Sequence, residues 1–314
     1  MNAKMKIFRN LQEITVANKP LTVVLGNFDG VHLGHQNLIK MAQSISKGMD
    51  GTTLIFTFHP HPQMVFNKDI KLINSFDLKI RLIEQLGVDY LLIVPFVEEF
   101  YKLSPEEFVE QILYKKLNVS HVVAGFNYTF GYKGMGKTKD LIDIGAKFGI
   151  KTTIMDPFYV DGQLVSSSKI REYLESGKIV EASKLLGYFP RILGSVVSGN
   201  KIGRIMGIPT ANLKWDADVL LPKSGVYAVQ VKVLGQIKPG VLNIGTRPTV
   251  SSNNNVTMEV NILDFNQDIY GEKLEVIFHQ KLRDEKKFNN ILDLKKQIEV
   301  DTLRTIQYFS NIKI

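Results

Sequence analysis

The run Leu21-Thr22-Val23-Val24-Leu25 is short, apolar and β-branched, and reads as a buried strand. It breaks at once into Gly26-Asn27-Phe28-Asp29-Gly30-Val31-His32-Leu33-Gly34-His35. A helical pattern then starts near Gly34 and runs through Leu38, Ile39, Met41 and Ala42. A buried strand feeding a helix through so tight a turn is the unit of an open α/β sheet. There the helix start offers unpaired N–H groups and positive partial charge to a phosphate. Gly26, Gly30 and Gly34 let the backbone approach such a group closely. His32 and His35 are three apart, so both can face one ligand from the first helical turn. Positioned donors there suit displacement at an α-phosphorus, which builds charge on phosphate oxygens without a covalent intermediate. A metal site or a pair of surface histidines are the competing readings. The chain has no cysteine and no carboxylate at ligand spacing beyond Asp29, which argues against zinc.

Strand and helix patterns alternate through the first half. Thr52–Phe58 reads as a second buried strand ending in His59-Pro60-His61-Pro62, and Asp77–Leu86 reads as an amphipathic helix. Val88–Pro95 is a third strand, and Ser104-Pro105-Glu106-Glu107 a helix start with Ser at the cap and Pro at the first position. Ser120–Gly125 is a strand that opens into the aromatic loop Phe126-Asn127-Tyr128-Thr129-Phe130-Gly131. A helix near Lys139–Phe148 and the strand Lys151–Met155 follow. Val165-Ser166-Ser167-Ser168-Lys169-Ile170-Arg171 then begins another helix, where serines can cap and bind phosphate and Arg171 can clamp one. Ligands in open α/β sheets bind at the carboxyl edge, where these loops fall. The alternation predicts a doubly wound parallel sheet over residues 1–186, without the Walker phosphate loop.

The periodicity changes near Gly187-Tyr188-Phe189-Pro190. Short Val- and Ile-rich runs follow at Arg191–Val197, Ile208–Leu213, Gly225–Val233, Lys238–Ile244, Thr257–Leu263 and Lys273–Gln280, broken by Gly, Pro and Asn. This predicts an antiparallel β-barrel or sandwich over 187–314, with a helix near Leu292–Phe309 covering one face. Ser251–Asn255 reads as a mobile loop. Thr210 and Asn212 alternate, so their oxygens share one side of a strand and suit Mg²⁺.

Bulk properties narrow the class. The 314 residues allow two domains, and 44% hydrophobic content with mean hydropathy −0.01 predicts a soluble globular chain. No apolar run approaches a membrane span, no signal-peptide pattern opens the chain, and zero cysteines suit the cytoplasm. A net charge of +8 from scattered Lys and Arg suits anionic small molecules better than nucleic acid. Oligomeric state is not legible.

The stretch GNFDGVHLGH resembles the nucleotidylyltransferase superfamily, and specifically the bacterial bifunctional riboflavin kinase/FMN adenylyltransferase family. Thr57-Phe58-His59-Pro60-His61-Pro62 resembles the family's Thr-Phe-x-Pro-His-Pro stretch, and Phe126–Gly131 its aromatic ATP and flavin loop, with Tyr128 for the usual Phe. Ser166–Arg171 resembles Ser-Ser-Thr-x-Ile-Arg, with Ser168 in place of Thr. In the second half Gly203-Arg204-Ile205-Met206-Gly207-Ile208-Pro209-Thr210-Ala211-Asn212 is similar to the riboflavin kinase Gly-x-Pro-Thr-Ala-Asn motif. Asn243-Ile244-Gly245-Thr246-Arg247-Pro248-Thr249 is similar to Asn-Ile-Gly-x-Arg-Pro-Thr, and Glu259 occupies the position of the kinase base.

The resemblance implies a Rossmann-like adenylyltransferase domain that joins ATP and FMN into FAD. A β-barrel kinase domain that phosphorylates riboflavin follows it, and both use Mg²⁺. It implies His32, His35, Arg171 and Glu259 as catalytic residues. ATP and FMN fall to Gly26, Asn27, Phe28, Asp29, Gly34, Phe58, His61, Asn127, Ser167 and Ser168. ATP and riboflavin at the kinase fall to Gly203, Arg204, Gly207, Pro209, Asn243 and Arg247, with Thr210 and Asn212 for the metal. Ser198-Gly199-Asn200-Lys201-Ile202 departs from the family's His-Gly-Asp-Lys-Arg-like run, which motivates a second reading, an adenylyltransferase with a silent barrel. A third, from a different class, is a flavin- or RNA-binding regulator that keeps the fold.

Overall fold

The computed structural model describes residues 4–15, 18–66, 69–198, 208–247, 255–288 and 290–311. They divide into two compact units: residues 1–70 with 76–166, and residues 71–75 with 167–314.

In the first unit the buried runs become strands of a sheet whose order is β1-β4-β3-β2-β5-β6. These are β1 (Lys6–Phe8), β2 (Leu21–Leu25), β3 (Thr52–His59), β4 (Tyr90–Pro95), β5 (Val119–Gly125) and β6 (Lys151–Met155), every pairing parallel. Every residue of β2 is buried, as a strand covered on both faces requires. Helix α1 (Leu33–Gly48) follows β2, α2 (Pro62–Phe66) follows β3, and α3 (Phe76–Gln85) leads to β4. A short helix α4 (Glu98–Tyr101) precedes α5 (Pro105–Glu107). The Ser104 side chain caps α5 in reciprocal hydrogen bonds with Glu107, and the chain then widens into a π-helical segment, Phe108–Lys116. Helix α6 (Thr138–Lys147) leads to β6. From β2 the chain winds outward through β3 and β4, then restarts on the other side at β5. The carboxyl ends of β2 and β5 therefore flank the point where strand order reverses.

The second unit is a closed antiparallel barrel, not a sandwich. Its strands are β9 (Arg191–Val197), β10 (Ala211–Trp215), β11 (Gly225–Val233), β12 (Gln236–Arg247), β13 (Asn255–Ile262) and β14 (Lys273–Arg283), in the order β10-β13-β12-β11-β14-β9. The β9–β10 pairing closes it. A small hairpin, β7 (Tyr159–Val160) with β8 (Gln163–Leu164), precedes α7 (Ser167–Glu175) and α8 (Ile179–Leu186). Contacts group α7 and α8 with the barrel. Residues 71–75 also belong to this unit: Leu72 exchanges backbone hydrogen bonds with Asp218 and Leu220, at 2.7 and 2.8 Å. The Asn74 side chain accepts from Tyr188 Oη at 3.0 Å.

The terminal helix α9 (Ile291–Ser310) is capped by Asn290, whose side chain accepts from the Asp293 N–H. Its hold on the barrel is electrostatic as well as apolar. Asp301 is 1% exposed and accepts from Arg283 Nε and Nη2 of β14 at 3.0 and 2.9 Å. Removing the carboxylate leaves a guanidinium shielded and unpaired. Asp301→Ala should therefore cost the barrel about 3 kcal/mol, read as a lower midpoint in chemical denaturation. Glu98→Ala, which breaks an exposed pair with Lys102, should change it by less than about 0.5 kcal/mol.

Candidate active sites

The turn after β2 is folded under strain. Phe28 and Val31 take φ of +52° and +38°, and Gly30 +82°. Such values cost a side-chain-bearing residue about 1–3 kcal/mol each and persist only where surroundings impose them. The surroundings are tight here: Phe28 is fully buried, and a Cβ on Gly26 would lie 3.1 Å from its ring. Asp29 is also buried. The Asn27 carbonyl accepts from Thr57 Oγ1 at 3.2 Å and from Lys79 Nζ at 3.3 Å, which fixes the start of the loop.

His32 is the N-cap of α1, and its ring does the capping: Nδ1 accepts from the His35 N–H at 3.3 Å. An imidazole nitrogen that accepts carries no proton, so the neutral ring holds its hydrogen on Nε2. The two imidazoles stack at 3.6 Å with 14° between planes, and Phe28 packs against His35 at 5.2 Å. A Cβ on Gly34 would lie 3.2 Å from His32 Nδ1, so a side chain there would press on the stack. Burial pushes His32 down to about 4. Burial, then the neighbouring His32 and Lys79, hold His35 well below the ordinary histidine range. Both rings are thus neutral near pH 7, and His35 Nδ1 is enclosed with no hydrogen-bond partner among the described residues. The site offers a stacked pair of uncharged imidazoles on the first turn of a sixteen-residue helix.

Two further loops at the carboxyl edge carry predicted residues. Phe58 is buried, edge-on to Phe96 and Phe100 at 5.2 Å each, and buried His61 accepts on Nδ1 from the Gln63 N–H at 3.2 Å. His59 ends β3 and Pro62 begins α2, so only Pro60 and His61 of the His-Pro-His-Pro stretch form a loop. Asn127 is exposed in the turn after β5, where the Tyr128 N–H donates to the Gly125 carbonyl. Sequence reasoning missed Phe66: it is 66% exposed and packs edge-on against Phe96 and Tyr101. Its only signal was an aromatic four residues after Pro62. Ser167, Ser168 and Arg171 lie in the second unit, and α7 starts at Ser167, so the two serines are in its first turn. Arg171 Nε donates to the Lys71 carbonyl at 2.8 Å.

The barrel builds its site by register. Glu259 of β13 stands opposite Asn212 of β10 on one side and Asn243 of β12 on the other. Directly paired residues point to the same face, so the three form a polar row. Their chain neighbours Leu213, Leu242, Ile244, Met258 and Val260 are buried and point the opposite way, into the barrel. Pro209 and Thr210 are exposed just before β10, and the Pro209 carbonyl accepts from Asn261 Nδ2 at 2.7 Å. A cavity of about 330 Å³ is lined by Pro209–Asn212 together with Phe265 and Tyr270. The Phe265–Tyr270 wall carried no recognisable pattern in the sequence. Gly203, Arg204, Gly207, residues 199–202 of the departing run and 251–254 of the predicted mobile loop lie outside the described residues, as does the side chain of Arg247.

Two family models match: FAD synthetase over residues 14–169 and riboflavin kinase over 186–309. The chain is 41% identical to the bifunctional riboflavin kinase/FMN adenylyltransferase of Bacillus subtilis, over 93% of each chain. It is 40% identical to that of Listeria monocytogenes over 96% of each, and 34% identical to that of Escherichia coli over 98% and 99%. A solved structure described as a macrolide-efflux protein from Streptococcus pneumoniae superimposes with a TM-score of 0.87. It is 32% identical over 96% of this chain and 99% of that one. Among the described residues no helix is long and apolar enough to cross a membrane. A strained turn bearing two histidines, a barrel bearing an Asn–Glu–Asn row, and relatives matched nearly end to end lead to one conclusion: the chain belongs to the bifunctional riboflavin kinase/FMN adenylyltransferase family, converting riboflavin to FMN and FMN to FAD with ATP.

Proposed function

We propose that the two activities divide at residues 186 and 187, with adenylyl transfer on the N-terminal side and riboflavin phosphorylation on the barrel. The observation that carries the first assignment is the stacked, neutral His32–His35 pair on the first turn of α1. In that reading the FMN phosphate attacks the α-phosphorus of ATP, an oxygen–phosphorus bond forms, and pyrophosphate leaves. His32 Nε2–H and the His35 ring donate to oxygens that gain charge in the transition state. Gly26, Asn27, Phe28, Asp29 and Gly34 shape the loop around the phosphates. Phe58, His61 and Asn127 border the substrates at the carboxyl edge, and exposed Phe66 offers an apolar face to a flavin ring. Ser167, Ser168 and Arg171 bind phosphate, as the resemblance implies.

In the barrel Glu259 takes the proton from riboflavin's terminal ribityl hydroxyl, that oxygen attacks the γ-phosphorus of ATP, and ADP leaves as the β–γ bridging bond breaks. Asn243 and Arg247 hold riboflavin, while Gly203, Arg204, Gly207 and Pro209 hold ATP. Thr210 and Asn212 present neutral oxygen donors beside the Glu259 carboxylate, a set that suits Mg²⁺, which prefers oxygen and keeps several waters. When bound, Mg²⁺ offsets polyphosphate charge. The protein works in the cytoplasm, where ATP is made and a chain without cysteine meets no oxidising demand. Its positive charge serves small anions, with nucleic acid not among the partners.

The roles are separable on one chain. His32→Ala should lower FAD formation from FMN about 10²- to 10³-fold and leave FMN formation from riboflavin intact. Glu259→Gln should do the reverse, slowing riboflavin phosphorylation about 10²- to 10⁴-fold. Chromatography of parallel incubations with riboflavin or FMN reads both, and full FAD synthesis by His32→Ala would remove the histidine assignment. Gly34→Ala should cut FAD formation about tenfold without touching the kinase step, because its Cβ meets His32 Nδ1 at 3.2 Å. An unchanged rate would mean the stack is not required.

A further inference from the structure

Lys79 is a buried charge of the first unit to which no role above falls. It lies on α3, is 8% exposed, and its Nζ donates to the Asn27 carbonyl at 3.3 Å. The same oxygen accepts from Thr57 Oγ1 of β3 at 3.2 Å. Nζ stands 5.5 Å from the Phe76 ring centroid, and that ring stacks on His59 at 3.9 Å. Two titratable groups of neighbouring elements act on it electrostatically. Asp29 in the loop favours its charged form, and His35 on α1 is disfavoured as a cation by it. Burial outweighs Asp29 and pushes the ammonium down to about 8.

Packing alone does not call for this residue. Enclosing an ammonium is costly, a methionine fills the same volume without that cost, and Thr57 already donates to the Asn27 carbonyl. The double hold has a directional result. Among the described residues the one cis peptide is His59–Pro60, so Asn27–Phe28 is trans, and pulling its carbonyl toward Lys79 and Thr57 turns the Phe28 N–H the opposite way. The turn continues through left-handed Phe28, Gly30 and Val31, and within it the Val31 N–H donates to the Phe28 carbonyl at 3.2 Å.

We propose that Lys79 is a positioning residue for adenylyl transfer: its ammonium holds the Asn27 carbonyl, and so aims the N–H of the same peptide unit, that of Phe28, at the phosphates. The inference rests on the assignment of His32 and His35 to that reaction. Lys79→Met should lower kcat for FAD formation from FMN about tenfold or more, with riboflavin phosphorylation by the same chain unchanged. Wild-type FAD formation should decline above about pH 8, as the ammonium loses its proton. Lys79→Arg keeps donor and charge and does not deprotonate in this range, so it should retain at least about a third of the wild-type kcat and lack that decline. A Lys79→Met enzyme within about threefold of wild type, or an alkaline decline that persists in Lys79→Arg, overturns the proposal. Near-UV circular dichroism checks folding; if Lys79→Met does not fold, the Lys79→Arg profile alone decides. His32→Ala assayed alongside separates the two readings. FAD synthesis by His32→Ala sinks the site itself, whereas an inactive His32→Ala beside a fully active Lys79→Met sinks only the role of Lys79.

Discussion

The hydrogen bond from the His35 N–H to His32 Nδ1 organises the turn that leads into α1 of the first unit. It makes the His32 side chain the cap of α1, so the start of the helix and the imidazole cannot move independently. It also settles the tautomer, leaving the Nε2 hydrogen as the donor. Around this bond the structure is constrained at each step: glycine at 34 against the ring, left-handed backbone at 28 and 31 to bring the chain into the helix, and buried Phe28 beneath. A charged imidazole would attract phosphate more strongly, yet burial holds both rings neutral. In the proposed role, neutral donors discriminate between transition state and ground state better than a fixed cation that binds both.

The barrel reaches a comparable arrangement by different means. Its polar row depends on no turn or cap but on antiparallel pairing that sets Asn212, Glu259 and Asn243 side by side on three strands. A slip of one residue in either pairing would send Glu259 into the apolar interior now filled by Met258 and Val260. The buried side chains of those strands therefore hold the register that keeps the polar row together. The Arg283–Asp301 pair fastens the helix that covers the barrel, away from the polar row's own pairings.

Much of this was legible in the sequence, for reasons that differ by element. The β2–α1 turn stood out because strand, glycines, histidines and helix are contiguous, and local periodicity carries such a unit. The six barrel strands were legible as short β-branched runs between turn residues, although closure into a barrel rather than a sandwich depends on the β9–β10 pairing. Long-range features left no local trace. Nothing local marks residues 71–75, yet they belong to the second unit, where Leu72 is bonded to Asp218 and Leu220. The π-helical winding of Phe108–Lys116 follows a run that reads as an ordinary helix start. Lys79 looks like a surface lysine on an amphipathic helix until β3 and the loop close over it. The Phe265–Tyr270 wall gains meaning only from its place beside Pro209–Asn212.

The protonation of His32 tests this account most directly. The chain has six histidines, so imidazole ¹⁵N and ¹³C resonances can be assigned by single substitution and followed with pH. The account predicts a His32 ring that stays neutral from pH 8 down to below 5.5, protonated on Nε2, and gains its second proton only near pH 4. A His32 that titrates near 6.5, or carries its neutral proton on Nδ1, would contradict it.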